Sequence, residues 1–207
     1  MKPLKLLGLA LVAALAAMAL AGTTSVSAKA ILCSTNTNPC TGTKYGTGTK
    51  FIGNLKAGTV STLTTSIGNV VCKKSTIRGA TTNAEGHGEL TSLTFTECAL
   101  GSTTCEVKAV NLNYTVTFIP TGGGNGDLTI TPKAGGGNPG ASVVCGSFIN
   151  CTFSSSHIVL RLIGGNPAIL IAQEVELSRS GGLCPSISKW DAEYEVTSPK
   201  PLFPESS

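Results

Sequence analysis

In the stretch SKWDAEYEV, Ser188 to Val196, apolar and charged residues take strict turns. Trp190, Ala192, Tyr194 and Val196 fall on one face, and Lys189, Asp191, Glu193 and Glu195 on the other. Successive side chains of an extended strand point to opposite faces, so this period of two specifies a strand with one buried and one wet side. The same rule recurs along the chain. HIVLRLI sends Ile158, Leu160 and Leu162 one way and His157, Val159 and Arg161 the other. AILIAQEVEL is expected to turn Ile169, Ile171, Val175 and Leu177 inward, with Glu174 and Glu176 outward. LNYTVTF and DLTITP follow suit, and Thr, Val, Ile, Tyr and Phe recur in these runs, as suits a pleated surface. Between them stand the turn signals KAGT, SIGN, AEGHGE, TGGGNGD, AGGGNPGA, IGGNPA and RSGGLCP. Their spacing of about 8–15 residues predicts a single all-β domain of about 11–12 antiparallel strands, a two-sheet sandwich or a barrel.

The first 28 residues stand outside this pattern. Lys2 and Lys5 precede an uncharged apolar run from Leu6 to Leu20, and small residues lead up to Ala28 and Ala30. That is the layout of a secretory signal peptide, cleaved at about residue 28. The run is short for a helix that must cross about 30 Å of hydrocarbon, so no integral membrane association is expected after cleavage. The expected organisation is a signal peptide over 1–28, an all-β domain over 29–198 and a proline-rich tail over 199–207, TSPKPLFPESS supplying the prolines that bar a central strand. Loss of Lys2 and Lys5 lowers the net charge from +4 to +2. No basic stripe remains, which argues against a nucleic-acid partner.

Eight cysteines follow the leader: Cys33, Cys40, Cys72, Cys98, Cys105, Cys145, Cys151 and Cys184. An even number in an exported chain argues for disulfides, and the spacings lack the close pairs of a zinc site. Separations of seven, seven and six residues suit bridges that clamp short loops, which predicts the pairs 33–40, 98–105 and 145–151, leaving 72–184 to cross the fold.

Other candidate sites weaken on inspection. EGHGE places Glu85, His87 and Glu89 within five residues, a donor set that suits a divalent cation, but its glycines read as a turn entering a strand. Asp191, Glu193 and Glu195 stand about 6.5–7 Å apart along one face, near the spacing used in glycoside hydrolysis. Lys189 shares that row, however, and the pattern is that of a solvated face. GGGNGDLTI nearly matches a calcium-binding repeat but occurs once, so a hairpin loop is expected. Neither G-x-S-x-G nor H-E-x-x-H occurs, and His157 sits on the outward face of its strand. No catalytic, cofactor-binding or metal-binding residue is therefore assigned, and Trp190 is expected to anchor the core.

The segments LCSTNTNPC, KYGTGTKF, VVCKKSTIRGATT, GELTSLTFTEC, GGNPAILIAQEVEL and GGLCPSISKWDAEYEVTSPKPLF span nearly the whole mature chain. Through them it resembles a group of exported, uncharacterised, cysteine-containing all-β proteins of soil actinobacteria. The resemblance carries no activity, ligand or catalytic residue with it. The expectation is a secreted or cell-surface protein, a non-catalytic binding, adhesion or envelope-structural domain for an extracellular or cell-envelope ligand. The alternative is an extracellular hydrolase acting on glycans.

Overall fold

The structure is a computed structural model that describes residues 29–147, 149–180 and 184–207. The expected signal peptide lies outside the described residues. In chain order the strands are β1 (Ala30–Cys33), β2 (Lys50–Leu55), β3 (Ser61–Thr65), β4 (Gly68–Thr81), β5 (His87–Leu100), β6 (Thr103–Val110) and β7 (Tyr114–Gly122). They continue as β8 (Asn125–Thr131), β9 (Gly140–Cys145), β10 (Ile149–Ser154), β11 (Ile158–Ile163), β12 (Ile169–Ser180), β13 (Ile187–Ser198) and β14 (Phe203–Ser206). The fold is all-β and antiparallel throughout, as the alternation predicts. β2 to β13 form one sheet, and β1 with β14 forms a separate two-stranded ribbon.

The large sheet closes on itself twice. β4, β5, β12 and β13 are long, 12 or 14 residues each, and each exchanges partners part-way along. Their halves that lead to Gly68, Leu100, Ser180 and Ile187 join β3, β6, β9 and β10. The resulting circuit runs β3-β4-β5-β6-β9-β10-β12-β13 and back to β3. Their other halves join β2, β7, β8 and β11 in a second circuit, β2-β4-β5-β7-β8-β11-β12-β13 and back to β2. Two eight-stranded barrels are thus stacked end to end on four shared strands. Every strand of the large sheet has partners on both sides, which removes the free edges that template aggregation.

Irregularities in the long strands let one strand serve two barrels. The β12–β13 register shifts between Ala172 and Val175, and Glu174 takes a positive φ of 49°. A bulge there inserts one residue and reverses which side chains face inward. This corrects the predicted faces of β12. Before the bulge Leu170 and Ala172 are buried while Ile169 and Ile171 are only half-buried; after it Leu177 points in as expected. The alternation of β13 and β11 is as predicted: Trp190, Ala192, Tyr194 and Val196 are buried, as are Ile158, Leu160 and Leu162.

The stretch read as a tail over 199–207 also differs. Phe203–Ser206 form β14, paired with β1 from Ala30↔Ser206 to Cys33↔Phe203. Pro204 is tolerated because a two-stranded ribbon makes few demands on each N–H. The ribbon packs on the far end of the second barrel. Leu202 exchanges backbone hydrogen bonds of 3.0 Å with Gly165, and Asn36 Nδ2 donates to the Gly123 carbonyl at 3.3 Å. Leu32 and Leu202 are buried beneath it.

The disulfides are 33–40, 72–98, 105–145 and 151–184. The first is as predicted; the pairs 98–105, 145–151 and 72–184 are corrected. Cys72, Cys98, Cys105 and Cys145 face one another in a single row across β4, β5, β6 and β9. Each residue of an antiparallel sheet makes a close, non-hydrogen-bonded pair on one side and a wide, hydrogen-bonded pair on the other. Cys72 and Cys98 have Cα atoms 3.9 Å apart, and Cys105 and Cys145 are 4.1 Å apart, so these are the close pairs. Alternation then makes 98–105 the wide pair. A 98–105 bond would also strand Cys72 and Cys145 three strands apart, about 14 Å, beyond the reach of a bridge.

Candidate functional site

The two barrels differ inside. The second is filled: Phe51 from β2, Phe118 from β7, Leu128 from β8, Leu160 and Leu162 from β11, and Tyr194 and Val196 from β13 are all buried. Phe51 and Phe118 meet edge to face at 6.0 Å. The space left beside them is about 20 Å³.

The first barrel is hollow. A cavity of about 50 Å³ occupies its interior. Every strand of that circuit lines it: Leu63 from β3, Val70 from β4, Phe95 from β5, Val107 from β6, Val143 from β9, Phe153 from β10, Leu177 from β12 and Trp190 from β13. Tyr114, Ile130 and Ile158, at the junction with the second barrel, make its floor. A smaller cavity of about 10 Å³ shares Val70, Val143 and Phe153 with it and adds Ile67, Leu100, Ile149 and Pro185 on the side of the hairpin ends. These ends form the rim of the first barrel.

None of the residues lining the main cavity carries a charge. Its polar marks are few and already partnered. Trp190 Nε1 donates to Ser61 Oγ at 2.9 Å; outside the lining, the Ser75 hydroxyl meets that of Tyr194, a side chain of the filled barrel, at 2.8 Å. The Tyr114 hydroxyl donates to the carbonyl of Val110 and lies 3.4 Å from that of Gly140. Burial pushes the phenols of Tyr194 and Tyr114 above the ordinary range, so both stay neutral donors. Such an interior has no group to donate or remove a proton at neutral pH; it can surround an apolar molecule.

Three of the four disulfides brace this hollow barrel. The 72–98 and 105–145 bonds tie β4 to β5 and β6 to β9, and 151–184 ties β10 to the residues preceding β13. The fourth, 33–40, closes the loop after β1.

The ionisable residues singled out in the sequence are dispersed over the outside. Glu85 pairs with Lys29 and Glu89 with Lys133, while His87 Nδ1 lies 3.3 Å from Thr117 Oγ1. Among the described residues, no three His, Cys, Asp or Glu side chains gather to hold a metal ion. On β13, Glu193 meets Lys56 at 2.8 Å and Lys189 meets Glu174 at 3.1 Å. The Asp191 carboxylate accepts the Glu174 N–H at 2.8 Å, which pins the bulge of β12. GGGNGD is the β7–β8 hairpin, with Gly122, Gly123 and Gly124 all at positive φ. His157 is exposed beside Ser156.

The hollow was not foreseen from the sequence, yet a signal for it exists. Ser61 on β3 and Ala141 on β9 place short side chains in its wall. Comparison of the chain with protein-family models, curated proteins and solved structures finds no match.

Proposed function

We propose that this chain is an exported, non-catalytic binding domain whose site is the interior of the first barrel. One observation carries the reading: the charged residues singled out in the sequence stand outside, most of them in separate ion pairs, while the cavity of the first barrel faces only uncharged residues. A catalytic site of the acid–base kind needs ionisable groups from separate strands converging on one cleft. A binding site needs an enclosed, mostly apolar space with few polar marks. Four disulfides suit an oxidising compartment, and the N-terminal leader supports release from the cell, as mature protein beginning near residue 29.

The test sets binding against hydrolysis. The purified, oxidised protein, incubated with a panel of polysaccharides and cell-wall oligosaccharides, is expected to release no reducing ends. Release that disappears in Glu193→Gln would overturn the reading and establish the outer carboxylate row as an active site.

A further inference from the structure

We infer that the hollow barrel takes up a small, uncharged, apolar molecule, such as a single aromatic ring or a short alkyl chain. This inference rests on the binding reading above and specifies its ligand.

The hollowness is a property of these side chains and not of the topology. An eight-stranded barrel is just wide enough for its own side chains to fill or for one small ligand. The same four long strands close both barrels, yet one interior is filled and the other is not. The difference lies in how far the side chains reach inward: those of the filled barrel leave about 20 Å³, those of the hollow one about 50 Å³, part of whose wall is the short side chains of Ser61 and Ala141. An empty apolar space leaves its lining without contacts on one side. Water gains little there, because it needs two to four polar partners and the polar groups present already have theirs. An apolar guest restores the missing contacts at no electrostatic cost.

The size and chemistry of the guest follow. A cavity of about 50 Å³ has room for a group on the order of one six-membered ring. A charged guest would be buried without a counter-charge, a desolvation cost that the lining cannot offset. One hydroxyl on the guest is tolerable next to Ser61, whose oxygen already accepts from Trp190. A smaller cavity lies beside this one on the side of the hairpin ends, with Ile67, 56 % exposed, in its wall at the tip of the β3–β4 hairpin.

The experiment uses the chain's single tryptophan, which lines the cavity. Oxidised protein is titrated with toluene and, in parallel, with benzoate, a similarly sized anion, while Trp190 emission and the melting temperature are followed. Toluene is expected to change the emission saturably and to raise the melting temperature by about 3–6 °C at ten times its dissociation constant. Benzoate is expected to do neither. Val143→Phe, which fills the space, should abolish the toluene response. Leu177→Ala, which enlarges it, should increase the thermal shift, and keeps the test decisive if Val143→Phe does not fold. An equal response to benzoate, an undiminished response in a folded Val143→Phe, or no response in either wild type or Leu177→Ala overturns the inference. Native mass spectrometry of protein taken from its own culture medium separates the two levels. A bound polar compound alongside toluene failure sinks the apolar-guest assignment and leaves the binding reading standing; glycan turnover sinks both.

Discussion

The two barrels share four strands and the same number of staves, yet one is nearly filled by its side chains and capped while the other is hollow. The filled barrel's half of the sheet carries no disulfide: the 72–98 bond joins the shared strands β4 and β5 where they pair with β3 and β6 of the hollow barrel. The filled barrel's wall is held by buried Phe, Leu and Tyr side chains and by the β1–β14 ribbon over its end. The hollow barrel carries three. A wall that lacks a full core on its inner side loses dispersion and hydrophobic stabilisation, and covalent ties that restrict the unfolded chain offset that loss. Emptiness and bridging therefore belong together: the bridges make it possible to keep a space that packing alone would tend to close.

The sharpest way to break this comparison is to delete equal volumes from the two interiors. Leu160→Ala in the filled barrel is expected to cost about 4 kcal/mol, while Leu177→Ala beside the existing cavity should cost about 2 kcal/mol, because its side chain has fewer neighbours to lose. Equal costs in denaturant titrations would mean that the two interiors are packed alike. Removing the 105–145 bond by paired alanine substitution comes next, at about 3–4 kcal/mol for a 40-residue separation. Hydrogen exchange should then quicken in β6 and β9 and stay unchanged in β7 and β8; uniform quickening would show that the barrels do not act as separate regions.

A smaller effect tests the cap. Glu205 lies buried in β14 with Oε1 unpartnered, and burial raises its pKa. A carboxyl whose folded pKa is raised releases its proton more readily when unfolded, so it lowers stability as pH rises past the unfolded value. Glu205→Gln is expected to raise the melting temperature at pH 7 by about 2–4 °C, with the gain vanishing on acidification below the usual carboxylate range. A gain that persists in acid would place the effect elsewhere than in the charge. Smallest of all, Glu193→Gln should change stability by no more than about 0.5 kcal/mol, since its pair with Lys56 is exposed.

Much of this architecture is written in the period-two pattern. β11 and β13 are read correctly from it because neither is interrupted where the pattern is clearest. β12 misleads because a bulge is an event of one residue: Gln173-Glu174 looks like any other polar step, and only the partner strand shows that a residue has been inserted. The cysteines mislead for a related reason. Sequence separation says which sulfurs are near in the chain, whereas bonding is decided by which pairs face each other in the close position of the ladder, and that depends on register. The hollow is harder still, since no single strand carries it. Short side chains such as Ser61 and Ala141 border one space only when β3 and β9 are placed around the same axis.

The ribbon over the filled barrel has a mechanical consequence. The Ser207 N–H donates to the Lys29 carbonyl at 2.9 Å, so the two ends of the described chain leave the domain side by side, at the pole opposite the rim. A force drawing them apart would open the ribbon like a zip, one pair at a time from Ala30–Ser206 to Cys33–Phe203, and not shear it all at once. Such an opening needs little force at each step and spends itself before any load reaches a barrel. If this domain is tethered by its ends, the ribbon is the first part to yield and the hollow the last.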